Sequence, residues 1–231
     1  MALSSSSKNI LILIPAYNEG KGIKYAIEKL KHDGYRNILV IDDGSIDNTY
    51  EIISKLDIYV ARHIINRGAG AASSTGFEIA KILKPDIVVT YDADGQHDSE
   101  DIPELIKPII SNEADVVFGS RMLGKSGMPW KRMIYNKIAN IVTMIIYGIT
   151  VSDTQSGLKA FNKRAYNTIN IKTSRMEFCS EIVHQVKEKN LRFKEVKVKT
   201  IYTDYSMSKG NDLVSGIKTV IRLVLSRLMV R

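Results

Sequence analysis

The chain has 231 residues, 44% hydrophobic and 25% charged, the balance of a globular protein with one large domain or two small ones. A formal net charge of +8 points to an anionic partner: nucleic acid, a phosphorylated substrate or an acidic membrane surface. The single cysteine, Cys179, excludes an intramolecular disulfide and fits a reducing compartment.

In chain order, residues 1–8 are polar and serine-rich, lack the apolar centre of a signal peptide, and read as an unstructured lead-in. Strand-like β-branched runs follow over 9–14, 37–41, 58–61 and 87–91, with a fifth over 116–119. Helical patterns over 21–31, 49–55, 71–83 and 101–110 alternate with them. Continuous apolar strands between helices predict an α/β domain with a mostly parallel sheet covered on both faces. The second half opens with a long amphipathic helix over 130–147, with Met133, Ile134, Ile138, Ile141, Val142 and Ile145 on one side. A polar turn over 153–157 leads into a short strand over 158–161, then a helix over 180–189 and an alternating strand over 192–202. A last helical pattern over 213–231 mixes aliphatics with Lys218, Arg222, Arg227 and Arg231. That mix suits a helix lying in a membrane interface, and equally core packing or a dimer interface. The most apolar stretch, 138–149, is too short to span a bilayer.

In open parallel sheets, ligands bind beyond the carboxyl ends of the strands. Four such ends here are polar, acidic or glycine-rich: Pro15 to Glu19, Asp42 to Ser45, Asn66 to Gly70, and Asp92 to His97. Asp92 and Asp94, two apart on extended backbone, point the same way and can converge on one hard cation, with an amide oxygen from Gln96. An isolated pair of this kind is more often a solvated turn. Asp43 ends its strand at a sharp turn where its carboxylate can meet a base or ribose, while Ser45 or Asp47 caps the next helix. Gly68 and Gly70 let backbone approach a ligand at a helix start, and Arg121, ending the fifth strand, can pair with phosphate.

Together, Ile14-Pro15-Ala16-Tyr17-Asn18-Glu19, Val40-Ile41-Asp42-Asp43-Gly44-Ser45, Asp92-Ala93-Asp94-Gly95-Gln96-His97, Gly119-Ser120-Arg121 and Asp153-Thr154-Gln155-Ser156-Gly157 resemble, in order, the motifs of family 2 glycosyltransferases. Within that family the chain looks most like the dolichol-phosphate mannose synthase and polyprenyl-phosphate glycosyltransferase branch, from about residue 9 to 209. The resemblance implies a GT-A fold, Rossmann-like with helices flanking the sheet. It implies a catalytic domain over 9–210 and an amphipathic, membrane-interfacial helix over 211–231. It also implies a nucleotide-sugar donor of GDP-mannose or UDP-glucose type, Mg²⁺ or Mn²⁺, inversion at the anomeric carbon, and a polyprenyl or dolichyl phosphate acceptor. The expected location is the cytoplasmic face of a membrane, peripherally bound, with a homo-oligomer open and no nucleic-acid partner.

By the same resemblance, Pro15, Tyr17, Glu19, Ile41 and Asp43 match nucleoside-binding positions. Asp92, Ala93, Asp94 and Gln96 match the diphosphate positions, the metal falling to Asp92, Asp94 and Gln96. Arg121 matches an arginine near the sugar phosphate and Lys209 a basic residue closing over the diphosphate. Two departures stand out. Ala69 replaces a common lysine, and residues 202–205 lack the arginine usual before the Ser-Lys pair, leaving closure to Lys209 alone or to another arginine such as Arg132. The Q-x-x-R-W motif of processive synthases is missing, which favours a single transfer. Asp94, Arg121 and Asp153 are the expected catalytic residues. Asp153 orients a phosphate acceptor or serves as base for a hydroxyl one, unless it only makes an Asx turn. Glu181 is a second candidate base, on a helix face that otherwise reads as solvated. A soluble enzyme acting on a glycan or small-molecule hydroxyl is the alternative.

Overall fold

The computed structural model describes residues 8–124, 130–199 and 201. Seven strands form one sheet in the order β3-β2-β1-β4-β6-β5-β7. The first half is a repeated strand–helix alternation: β1 (Ile10–Ala16), α1 (Ile23–His32), β2 (Ile38–Asp42), α2 (Thr49–Ile53), β3 (Tyr59–Arg62), α3 (Ala69–Leu83), β4 (Ile87–Thr90), α4 (Ile102–Ile110) and β5 (Val116–Ser120). β1 pairs in parallel with β2 and β4, and β2 with β3. Both faces of β1, β2 and β4 are buried, which is why these strands read as unbroken apolar runs. Leu11, Leu13, Leu39 and Ile41 pack on one side with Phe77, Phe161, Tyr166 and Ile182. Ile12, Ile14, Val40 and Val89 pack on the other with Ile23, Ile27, Ile102 and Leu105.

The second half holds α5 (Trp130–Tyr147), β6 (Lys159–Asn162), α6 (Lys163–Thr168), α7 (Phe178–Glu188) and β7 (Phe193–Lys197). β6 lies antiparallel between β4 and β5, opposing Lys159 to Thr90 and to Phe118. Because it runs backwards, its beginning lies where its neighbours end, and the preceding turn, 153–157, reaches the same edge as the other strand-end loops. β7 pairs in parallel with β5 and stops at Lys197, short of the expected 202. α6 falls outside the expected elements: Asn162 caps it by accepting a hydrogen bond from the Ala165 N–H at 2.9 Å, and six residues are too few to show a period.

α5 forms where expected, with its apolar side turned outward. Asn136, Ala139 and Thr143 face inward, whereas Met133, Ile134, Ile138, Ile141 and Ile145 are exposed. The small and polar side meets the protein because Thr143 shares a hydrogen bond with Ser180 and Asn140 binds the 152–154 turn. Among the described residues, no helix is long and apolar enough to cross a membrane. The expected helix over 211–231 lies outside them, as do residues 1–7 of the expected lead-in.

Candidate active site

The loops after β1 and β2 are laced together. Ser45 Oγ accepts from the Asn18 N–H at 3.0 Å, Asn18 Oδ1 from the Ile46 N–H at 3.0 Å, and Thr49 Oγ1 from the Glu19 N–H at 2.8 Å. Tyr17 is left 41% exposed beside them. Pro15 and Ile41 are direct register partners on adjacent strands. The Ile41 side chain is fully buried in the core, so only its backbone is placed to meet a ligand.

Asp43 is buried and accepts four hydrogen bonds. His63 Nδ1 and the Arg67 N–H donate to Oδ1 at 2.7 and 3.0 Å; Asn66 Nδ2 and the Gly68 N–H donate to Oδ2 at 2.9 and 2.6 Å. Gly68 reaches its carboxylate with φ +101, a conformation that L side chains rarely adopt. His63 also contacts Thr75 Oγ1 at 2.9 Å through Nε2. Asp43 thus anchors the glycine-rich loop in which α3 begins.

At the end of β4, Asp92 and Asp94 flank Ala93, which is buried in the core. His97 Nε2 lies 3.1 Å from Asp92 Oδ2. With Nε2 as donor, the buried Nδ1 has no partner among the described residues. Tyr91 helps hold that ring: its hydroxyl donates to the His97 carbonyl at 2.6 Å and the two rings meet edge to face. The Asp92 side chain keeps 43% of its surface open. The protein packed around it opposes ionisation, yet the hydrogen bond from His97 and the charges of His97, Lys159 and Arg121 hold its carboxyl below the usual range. Asp94 is pushed up to about 6 by burial and by the charge of Asp92, with Glu19 adding to the repulsion. It accepts from the Gln96 N–H at 3.0 Å and from Gln96 Nε2 at 2.7 Å.

Two carboxylates held in mutual repulsion at a strand end are a donor set that a hard divalent cation relieves, so these residues fit Mg²⁺ or Mn²⁺. Among the described residues no three His, Cys, Asp or Glu side chains gather to hold a metal by themselves. A cation here therefore needs further oxygens from Gln96, water or a ligand's phosphates, as Mg²⁺ sites commonly do. Gly157 makes the close fit possible: a Cβ on it would lie 1.9 Å from Asp92 Oδ2.

Arg121 and Asp153, expected as separate groups, form one bidentate ion pair. Arg121 Nε donates to Asp153 Oδ2 at 2.7 Å and an Nη to Oδ1 at 2.8 Å, while the Arg121 N–H also binds Oδ2 at 3.0 Å. Asp153 is fully buried. Asn140 of α5 secures the turn: its Nδ2 donates to the Ser152 carbonyl at 2.5 Å, and its Oδ1 accepts from the Thr154 N–H at 3.0 Å and from Thr154 Oγ1 at 2.8 Å. Glu181 is not a solvated residue. Its carboxylate accepts from the Lys172 and Thr173 N–H groups at 2.9 Å each and from Thr173 Oγ1 at 2.6 Å. Lys209 and the side chain of Arg132 lie outside the described residues.

The strand-end edge therefore gathers Pro15, Tyr17, Glu19, Asp43, Asp92, Asp94, Gln96, Arg121 and Asp153. Reasoning from sequence passed over His63, His97, Asn140 and Lys159. His97 closes the acidic motif itself, and Lys159 is a charge within an otherwise apolar strand; both signals were there to read.

Residues 11–169 match the model of glycosyl transferase family 2. The UDP-N-acetylglucosamine–dolichyl-phosphate N-acetylglucosaminyltransferase of Methanococcus voltae is 37% identical over 245 residues, covering 96% of this chain and 98% of that protein. The polyprenol monophosphomannose synthase of Mycolicibacterium smegmatis is 26% identical, covering 92% and 84%. Glucosyl-3-phosphoglycerate synthase from Mycobacterium tuberculosis, crystallised with Mn²⁺ and UDP-glucose, superposes with a TM-score of 0.70 at 18% identity, covering 96% of this chain and 79% of that one. It shares the fold.

Proposed function

Because this chain belongs to glycosyl transferase family 2, we propose that it moves a single sugar from a nucleoside-diphosphate sugar to a polyprenyl or dolichyl phosphate, with inversion. One observation carries the choice of acceptor: both sequence-derived candidates for a general base are already engaged. Asp153 gives both oxygens to Arg121, and Glu181 gives both to the 172–173 backbone. A hydroxyl acceptor needs its proton removed, whereas a lipid phosphate arrives as an anion. This disfavours the alternative of a soluble glycan or small-molecule acceptor.

The donor's diphosphate falls at the end of β4, with Asp92, Asp94 and Gln96 as the residues that would hold Mg²⁺ or Mn²⁺. When bound, the cation neutralises charge on the departing diphosphate as a Lewis acid. Tyr17, Glu19 and the backbone around Pro15 and Ile41 border the nucleoside. Asp43 fixes the glycine-rich loop and so shapes that pocket's floor. Arg121, held rigid by Asp153, presents its charge to the incoming phosphate, so positioning and electrostatics supply most of the acceleration. By the family resemblance, Lys209 is the basic residue assigned to the diphosphate. The outward apolar side of α5 supports a peripheral membrane location.

The family resemblance implied a donor of GDP-mannose or UDP-glucose type. The Methanococcus voltae relative supports UDP-N-acetylglucosamine as the donor to test first, with the mycobacterial mannose synthase keeping GDP-mannose second. Purified protein with Mn²⁺, a short polyprenyl phosphate and each labelled donor in turn should glycosylate the lipid from one of them. Transfer only to soluble hydroxyl acceptors would refute the proposal. Asp94→Asn should lower lipid transfer at least about a hundredfold with an unchanged melting temperature.

A further inference from the structure

Lys159, the first residue of β6, is 1% exposed, yet the ion pairs among the described residues leave it without a carboxylate partner. Its ammonium donates to the Ser156 carbonyl and lies 3.9 Å from Cys179 Sγ. An ammonium buried on these terms is unfavourable unless a nearby negative charge offsets it. Asp92 supplies such a charge, since Lys159 helps hold its carboxyl below the usual range. Ser156 takes the lysine's proton donor, and its neighbour Gly157 is the residue against which Asp92 Oδ2 packs, with room for no Cβ between them. Register agrees, since Lys159 lies opposite Thr90, two residues before Asp92. Thr90 Oγ1 donates to the Gly157 carbonyl at 2.7 Å, locking strand and turn together.

We propose that Lys159 is a positioning residue of the donor site, a buried positive charge near Asp92 that makes the pocket favour a cation only when a diphosphate accompanies it. The proposal rests on the reading of Asp92 and Asp94 as the cation and diphosphate site. The Lys159 ammonium offsets part of the negative charge that Asp92 and Asp94 bring, so a bare divalent cation is held more weakly than the carboxylates alone would hold it. Adding the diphosphate brings the negative charge that the ammonium then stabilises. Arg121 contributes a second positive charge from the turn side, one already shared with the Asp153 carboxylate. Lys159 has no such partner.

The test compares Lys159→Met, Lys159→Gln and wild type. Mn²⁺ affinity alone is read by electron paramagnetic resonance, and UDP affinity at saturating Mn²⁺ by calorimetry. Loss of the charge should tighten Mn²⁺ alone by about tenfold and weaken UDP by about tenfold. Lys159→Gln retains a donor for the Ser156 carbonyl, so both neutral variants should show the same opposed shifts. A merely structural role would weaken both ligands together, and that result overturns the proposal, as does Mn²⁺ affinity unchanged in a folded neutral variant. Wild-type protein that takes up no UDP with Mn²⁺ overturns the underlying site reading, and this proposal with it.

Discussion

Gly157→Ala is the sharpest test of the candidate site, because it adds one methyl group at a position where the geometry leaves no choice. The new Cβ would sit 1.9 Å from Asp92 Oδ2 and 2.3 Å from its Cγ, whereas ordinary contact begins near 3.4 Å. The carboxylate or the turn must therefore shift by about 1.5 Å. On one side stands Thr90, bonded to the Gly157 and Lys159 carbonyls; on the other stands His97, bonded to Asp92. The turn is the more tightly tied, so Asp92 yields. A misplacement of about 1 Å in a positioned group costs roughly a hundredfold in rate. The expected loss in kcat/KM for transfer to polyprenyl phosphate is therefore about a hundredfold or more, with Mn²⁺-dependent donor binding weakened in step. Asp92 is partly open, so the fold should survive, and a melting temperature within a few degrees of wild type checks that. Transfer within about threefold of wild type would refute the placement of Asp92 at the reacting centre.

Two further outcomes follow from the same geometry. Asp153→Ala strands the Arg121 guanidinium, 12% exposed, without its carboxylate; urea denaturation should show a loss of about 3 kcal/mol, with transfer reduced as well. Far from the site, burial would raise the Asp115 carboxyl, but hydrogen bonds from Arg192 and Asn162 hold it at about 2. A depressed folded-state value means the stabilisation, of order 2 kcal/mol, is present above about pH 4 and fades as pH falls towards 2. Asp115→Asn should flatten the stability profile across that window, and an unchanged slope would show that the network contributes nothing.

The donor half was legible because it obeys local rules. Buried parallel strands announce themselves as unbroken apolar runs, and ligands gather at their carboxyl ends, so β1 to β5 and the Asp92/Asp94 pair could be placed from composition and spacing. Boundaries moved by a residue or two: α3 begins at Ala69 rather than 71, because Gly68 supplies the turn and Asp43 accepts its N–H. What sequence concealed was relational. Arg121 and Asp153 lie 32 positions apart, and nothing local says that each satisfies the other. Glu181 looked solvated because the loop that claims it, 172–173, has no pattern of its own. The orientation of α5 was not legible: periodicity finds an apolar stripe but not which side faces the protein, and here, the reverse of the usual burial, Thr143 and Asn136 turn inward while the isoleucines face out.

That reversal has a mechanical outcome. Asn140 is gripped by Ser152 and Thr154 on either side of Asp153, so the helix and the arginine–aspartate pair behave as one lever. With the proposed membrane contact made through these isoleucines, the surface they rest on would fix the height of Arg121 above it. An acceptor whose phosphate protrudes from a bilayer by a set distance would meet that guanidinium without any search in depth.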